Sequence, residues 1–490
     1  MTTDVYDALT GRRRSLIAAA VLGAAFLAML DGTVVGTALP RIVEQIGGSG
    51  TWYVWMVTAY LLTSSVSVPV YGRFSDLYGR RKLLLTGLTT FLIGSLACGL
   101  AGSMPFLIVA RSVQGLGAGS LLTLGMALIR DLYPPGRSHG MIRMQTVMAA
   151  MMIAGLVGGP LIGGLLTDHA GWRWAFWINL PIGLAAGLIL TLVLPERRPE
   201  SVPSGRLDLG GIVLLSAGLS LVLVALSLKG NAAGSVDWTD PAVLGCGLGG
   251  IVLLILLVAV ERRAEVPVLP LHLFQRRSYF CLLSAGFFFQ AASMPVSILL
   301  PLYFQHARGN SATVSGLLLL PMMVGMGVSN RLTAAAVMTW GRTKPVLLGG
   351  AVLMTAGAMP FFFLGTSTSL PLTAVWLLLV GLGTGPAMGG LAIATQSSAP
   401  HSDMGTATAG AALMKQIGGA FGLALAQTLM SQHLATGVGG TIGTTVAWTG
   451  GAGGLLAFAA LLVMRDVVVP GAKKSAAAPP KARAPAGAAS

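Results

Sequence analysis

Fourteen stretches of mainly apolar sequence, each near the ~20 residues a helix needs to cross a hydrocarbon layer, constrain this chain more than any other feature. They run from Leu16 to Leu39, Tyr53 to Val70, Leu83 to Ala101, Pro105 to Ile129, Met141 to Leu166, Ala175 to Leu194 and Leu209 to Leu228. The second seven are Ala242 to Val260, Tyr279 to Tyr303, Thr313 to Asn330, Val346 to Leu364, Leu370 to Ala394, Gly405 to Met430 and Ile442 to Met464. Only 10% of the residues are charged, against roughly 25% in a soluble domain, which excludes a water-soluble globule. Cys98, Cys246 and Cys281 all lie in apolar runs, so neither a disulfide framework nor a metal site is expected.

The formal charge of +15 would suggest nucleic acid in a soluble protein, but here its distribution points elsewhere. With a cytoplasmic N-terminus, 25 of the 31 Lys and Arg fall on the inner side, as the positive-inside rule requires. The sequence thus predicts a multi-pass protein of the cytoplasmic (inner) membrane with both termini inside, and no nucleic-acid partner. The run after Arg12, Arg13 and Arg14 is too long for an export signal and reads as an uncleaved first span. Beyond Pro470 the Ala, Pro and Lys composition predicts a disordered cytoplasmic tail.

An internal repeat divides the chain. Gly79-Arg80-Arg81-Lys82 returns as Gly341-Arg342-Thr343-Lys344, and Gly115-Leu116-Gly117-Ala118-Gly119 as Gly381-Leu382-Gly383-Thr384-Gly385. Span three thereby aligns with span eleven and span four with span twelve, which leaves spans seven and eight as a central insertion. The polar residues do not repeat: Arg111 projects onto Leu377, Asp76 onto Met338 and Pro160 onto Leu425. We read the first half as the one that couples energy.

Asp31 is the sole carboxylate inside the fourteen stretches, and an unpaired charge at such depth costs roughly 3 kcal/mol on insertion scales. Arg111 is its expected partner. At 1.5 Å per residue both lie about 9 to 12 Å below the outer surface. Burial disfavours a charged carboxylate while a nearby cation favours it, so small rearrangements can switch such a pair, as a proton carrier needs. Gln114, three residues on, shares the helix face and could orient Arg111. All six histidines fall in connections, so no histidine relay crosses the membrane. Lys415, about 15 Å into span thirteen, is a substrate contact, a second coupling charge or a packing lysine satisfied by carbonyls; the sequence ranks these equally.

Between spans two and three, Gly72 and Gly79 would allow a tight reversal, and Asp76 among Arg73, Arg80, Arg81 and Lys82 suggests a gating latch. Span five carries Gly155, Gly159, Pro160, Gly163 and Gly164, which permit close helix approach and a bend. Met141, Met144, Met148 and Met151 share one face of that span, favouring packing over a ligand lining, with Met148 and Met151 as possible substrate contacts.

Together these residues resemble the major facilitator superfamily, in its fourteen-span drug:proton antiporter branch. The likeness rests on five segments in order: Leu30-Asp31-Gly32-Thr33-Val34-Val35 through Pro40, the Gly72 to Lys82 loop, Arg111 to Gly115, Gly155 to Gly164, and Trp172-Arg173-Trp174 with Phe176, Asn179 and Pro181. Gly36 stands where the branch often has asparagine, and span ten lacks the carboxylate some relatives use for cationic drugs. The resemblance implies an all-α membrane protein with the major facilitator fold: two six-helix bundles, at 16–194 and 279–464, with two inserted helices in a linker at 195–278. Segments 1–15 and 465–490 would be cytoplasmic. It implies export of hydrophobic drugs or antibiotics in exchange for protons, with Asp31, Arg111 and Gln114 coupling, no enzymatic activity, no cofactor, and a monomer in the bilayer. Export of an endogenous metabolite, neutral or anionic, is the alternative; a non-transporting sensor ranks below it. No Gly-Lys-Ser or Gly-Lys-Thr loop for ATP is present.

Overall fold

The computed structural model describes residues 6, 9–47, 51–133, 138–196, 209–229, 239–263, 271–399, 404–432 and 438–467. The expected tail after Pro470 and much of the 195–278 linker lie outside the described residues, as do the side chains of Asp76, Met141, Met144 and Met148.

Each apolar stretch is a helix. The first half comprises α1 (Gly11–Ile46), α2 (Thr51–Tyr78), α3 (Arg80–Gly99), α4 (Met104–Leu132), α5 (Ser138–His169) and α6 (Asn179–Val193), the last entered through a helical turn at Trp174–Trp177. The inserted pair is α7 (Leu209–Lys229) and α8 (Pro241–Glu261). The second half comprises α9 (Arg277–Leu302), α10 (Ala312–Trp340), α11 (Lys344–Ala358), α12 (Leu370–Ser398), α13 (Met404–Gln432) and α14 (Val438–Val463). Over the described residues, ten helices are long and apolar enough to cross a membrane. Leu184, Leu188 and Leu192 form an exposed stripe on α6, and Leu248, Ile251, Val252 and Ile255 another on α8. Apolar surface of this extent is stable only against lipid or another protein.

Local chemistry fixes several helix starts. The Thr10 hydroxyl accepts from Arg13 N at 3.4 Å, the Asp240 carboxylate from Ala242 N at 2.8 Å, and the Ser311 hydroxyl from Val314 N at 3.2 Å. Each satisfies one of the backbone donors a helix leaves unpaired at its first turn.

In the first half α4 packs on α2 and α3, and α1 on α4, α5 and α6. In the second, α12 packs on α10 and α11, and α9 on α13 and α14. Helices α7 and α8 pair with each other, and α7 lies against both α2 and α13 at the seam between the bundles. The α5 to α10 and α2 to α13 contacts join the bundles.

The turn between α2 and α3 is tighter than expected. Gly72 lies inside α2, which stays helical to Tyr78, and the reversal falls on Gly79 alone, at φ 89°. A single residue suffices because glycine has no Cβ to oppose that φ. The equivalent Gly341 caps α10 at φ 68°.

Candidate functional site

Asp31 of α1 and Arg111 of α4 meet in the first bundle, with 0% and 1% of their surface exposed. Arg111 Nη1 donates to Asp31 Oδ2 at 2.6 Å and to Gln114 Oε1 at 2.8 Å. Asp31 Oδ1 accepts from Gln114 Nε2 at 2.8 Å and from Asn179 Nδ2 at 3.1 Å. Ser95 Oγ of α3 accepts from the same two amides at 3.0 and 2.9 Å and donates to Phe176 O at 2.9 Å. The guanidinium carbon lies 4.1 Å from the centre of the Tyr60 ring, a cation–π contact. A buried ion pair holds only when the remaining polar atoms are also satisfied, and five helices converge to do this. Asn179 Oδ1 is the exception, buried with no hydrogen-bond partner.

Sequence reasoning brought Asp31, Arg111 and Gln114 forward but missed Ser95 and Tyr60, and met Asn179 only as part of the Trp172 to Pro181 segment. A serine in an apolar helix carries no signal of its own. Asn179 does carry one, as a polar residue at the first position of α6.

Arg111 also borders a cavity of about 250 Å³ between the bundles. Its first-half wall comprises Met29, Gly32 and Thr33 of α1, Tyr60 and Ser64 of α2, and Pro160 of α5. Gln290, Ser293 and Met294 of α9, Met323 and Met326 of α10, and Gln416 of α13 face them. Asp31 stands behind Arg111 and is not part of the lining. Lys415 is not part of it either: its Nζ donates to Ala387 O at 3.1 Å, and its stem lies beside Gly286. Of the three readings left open, the structure fits the packing lysine satisfied by a carbonyl. Met151 is partly buried and is not part of this lining; among the described side chains, the thioethers that face the cavity come from α1, α9 and α10.

The small residues of α5 divide into two faces. A Cβ at Gly155, Gly159 or Gly163 would meet Met29, Thr33 and Thr37 of α1 respectively, two rows in steps of four locked together. The opposite face joins the second bundle. A Cβ at Gly164 would lie 2.6 Å from Ala312 O and Thr313 Cα, and one at Gly316 would strike the Pro160 carbonyl.

Hydrogen bonds join the bundles at this same end. Asp168 Oδ1 accepts from Ala312 N at 3.2 Å, and its Oδ2 accepts from Thr313 N at 2.7 Å and Thr313 Oγ1 at 2.5 Å. The carboxylate thus caps α10 from across the interface, where a helix favours negative charge. Burial alone would raise its pKa, but donation from the Thr313 hydroxyl and N–H, Ser311 and the Ala312 N–H outweighs this and holds it below the usual value. Gln305, in a π-turn that extends α9, donates to Thr37 O at 3.0 Å.

The basic residues after Gly79 hold the other ends of the first-half helices. Arg80 binds Asp131 and, at 2.7 Å, Ala127 O of α4. Arg81 donates to Thr191 O of α6 at 2.6 Å, and Lys82 pairs with Glu196 at 2.9 Å.

A cavity between two helical bundles, flanked by a buried ion pair, is the arrangement of a carrier. The sequence profile of the Major Facilitator Superfamily matches residues 21–423 and 282–488. The chain belongs to this superfamily. Multidrug transporter protein MdtP of Bacillus subtilis (strain 168) is 34% identical over 419 residues, which is 86% of this chain and 76% of that one. Efflux pump dotC of Dothistroma septosporum (strain NZE10 / CBS 128990) is 32% identical over 441 residues, 88% of this chain and 74% of the relative. Among solved structures, an auto inhibited POT family peptide transporter superposes with a TM-score of 0.67 at 16% identity, covering 92% of this chain and 96% of the other. As a major facilitator protein the chain is a membrane-spanning transporter of small molecules rather than an enzyme.

Proposed function

We propose that this major facilitator protein exports hydrophobic, drug-like molecules in exchange for protons, by alternating access of the central cavity. The observation that carries this reading is the position of Arg111, which borders the cavity and holds the buried Asp31 carboxylate at 2.6 Å. A ligand that moves Arg111 changes the cost of keeping Asp31 charged, and protonation of Asp31 releases Arg111 in turn. Asn179 supplies the alternative partner: a half-turn of its amide presents the unpaired Oδ1 as an acceptor for protonated Asp31. The names of the relatives, a multidrug transporter and an efflux pump, support the direction and class of cargo.

The protein acts as a monomer in the cytoplasmic membrane with both termini inside. The end that carries Asp168, Gln305 and Gly164 then faces outward and is closed, and Arg80, Arg81 and Lys82 lie inside. Residues 16–194 and 279–464 are the bundles that rock, Gly79, Arg80 and Arg81 with Gly72 and Asp76 form the inner gating segment, and 195–278 is the insertion between them. One proton entering down ~100 mV supplies ~2.3 kcal/mol, nearly fiftyfold in cargo gradient.

Purified protein in vesicles tests this. An imposed pH gradient is expected to drive drug flux in the wild type and to lose its effect in Asp31→Asn; flux indifferent to the gradient in the wild type contradicts antiport.

A further inference from the structure

We infer that the cargo is a neutral amphiphile whose polar group donates an N–H or O–H to Gln416 and accepts from Gln290, on the second-bundle wall of the cavity. The inference rests on the transport reading above and names the cargo class of that same cavity. Three observations lead to it.

The first is charge. Among the described lining residues Arg111 is the sole charged one, and it is already neutralised by Asp31. A cation entering the cavity meets no described carboxylate, and an anion must displace Asp31 from a guanidinium that is 1% exposed. Lys415, which would favour an anion, is tied to Ala387 O. A neutral cargo incurs neither cost, since an unpaired charge is not brought out of water.

The second is hydrogen-bonding capacity. Five of the six hydroxyls in the described lining, all but that of Ser293, already donate to carbonyls of their own bundle: Thr33 to Leu30 O, Thr37 to Val34 O, Ser64 to Leu61 O, Ser297 to Ser293 O and Tyr60 to Ala28 O. Gln416 differs, because its Oε1 is buried without a partner. Gln290 Nε2 has a thioether at 3.9 Å, a weak acceptor, as its described partner. A buried carbonyl oxygen left unpaired is costly, so a cargo N–H or O–H placed there gains both affinity and selectivity.

The third is placement. Gln290 packs against Gly419, one turn beyond Gln416, so both carboxamides lie along the α9 to α13 seam. Met294, Met323 and Met326 lie on the same side of the cavity, as adaptable apolar surface for the body of the molecule.

The test compares two probes on the full chain in detergent and in vesicles: chloramphenicol, neutral with amide and hydroxyl donors, and tetraphenylphosphonium, a cation with none. Chloramphenicol is expected to bind more tightly than tetraphenylphosphonium to the wild type, and to weaken about tenfold in Gln416→Leu with the melting temperature unchanged. Gln416→Glu, which adds the carboxylate the lining lacks, is expected to tighten tetraphenylphosphonium binding about tenfold. Equal binding of both probes to the wild type, or chloramphenicol affinity unaltered by Gln416→Leu, overturns the inference. If the expected binding pattern appears but no pH gradient drives flux, the cargo site stands and antiport fails. If a pH gradient exports tetraphenylphosphonium independently of Gln416, the exporter stands and the cargo class fails.

Discussion

The two halves of the chain share a sequence repeat, and they differ in a buried ion pair. In the first, Arg111 sits among Asp31, Gln114, Ser95 and Asn179; in the second, its counterpart Leu377 is fully buried in the apolar core beside Val380. The segment after the turn glycine, by contrast, recurs. Gly79 and Gly341 both adopt positive φ, and the basic residues after each hold the end of the last helix of their bundle. Arg81 binds Thr191 O in the last turn of α6 and Lys82 binds Glu196 just beyond it; Lys344 donates to Leu462 O in the last turn of α14 and to Met464 O just beyond it, both at 2.8 Å, and Arg342 pairs with Asp466 at 3.6 Å. A feature present in both bundles serves the fold they share. A buried ion pair present in one bundle has to be explained by what that bundle alone does.

The sharpest way to break this comparison is to make the first bundle copy the second. Arg111→Leu leaves Asp31 buried without its cation, and removing one partner of such a pair costs about 3–5 kcal/mol. Thermal melts should show this loss, and vesicle assays should show insertion with no pH-driven flux. Adding Asp31→Asn should restore much of the stability and none of the coupling. Full drug resistance in cells carrying Arg111→Leu would end the asymmetry argument.

A smaller effect separates the two faces of α5. Gly159→Leu overpacks α5 against Thr33 within the first bundle and should cost about 1–3 kcal/mol in a melt. Gly164→Leu instead pries α5 from Ala312 and Thr313 across the interface. Its main signature should be greater labelling of a cysteine placed at Thr313 rather than lost stability. Equal behaviour of the two variants would mean that both faces only pack.

Both recurring turns should resist a side chain. Gly341→Ala forces one into the αL region and should cost about 1–2 kcal/mol in denaturation, and Gly79→Ala, at φ 89° and ψ 146°, should cost about 1–3 kcal/mol, each with coupling retained. A loss of coupling in Gly79→Ala alone would shift the gate to that turn.

The smallest effect near neutral pH belongs to Asp168. Its hydrogen bonds hold its folded pKa below the unfolded value, so the stabilisation is complete above the ordinary carboxylate range and is lost as pH falls through the lower folded value. From pH 8 to pH 6 the difference in stability between the wild type and Asp168→Asn should therefore stay constant in a melt. It should shrink only in more acid solution, as the Asp168 carboxylate is protonated.

Much of this was legible in the chain. Each of the fourteen apolar stretches is a helix over its described residues because lipid leaves few other solutions, and the depths of Asp31 and Arg111 counted along their helices brought the two together. What escaped was rotation about a helix axis. Lys415 and its neighbour Gln416 differ by one residue, yet one packs behind the wall and the other faces the cavity. The low amphipathicity of a membrane helix gives no pattern from which to choose between them. Helix ends escaped as well: Gly72 reads as a turn residue, but α2 passes through it because Gly79 alone provides the reversal. Ser95 and Tyr60 were invisible for a different reason, since their value comes from partners 80 or more residues away or on another helix.

Coupled export requires Asp31 to give up or take a proton as cargo comes and goes. Proton release on cargo binding measures this directly, in weakly buffered solution with a pH-sensitive dye. Chloramphenicol binding to purified wild type should change the bound-proton count by about one per molecule of protein, as a single coupled carboxyl demands, and Asp31→Asn should abolish the signal. Cargo binding with no proton exchanged, or with the same exchange in Asp31→Asn, would contradict the account.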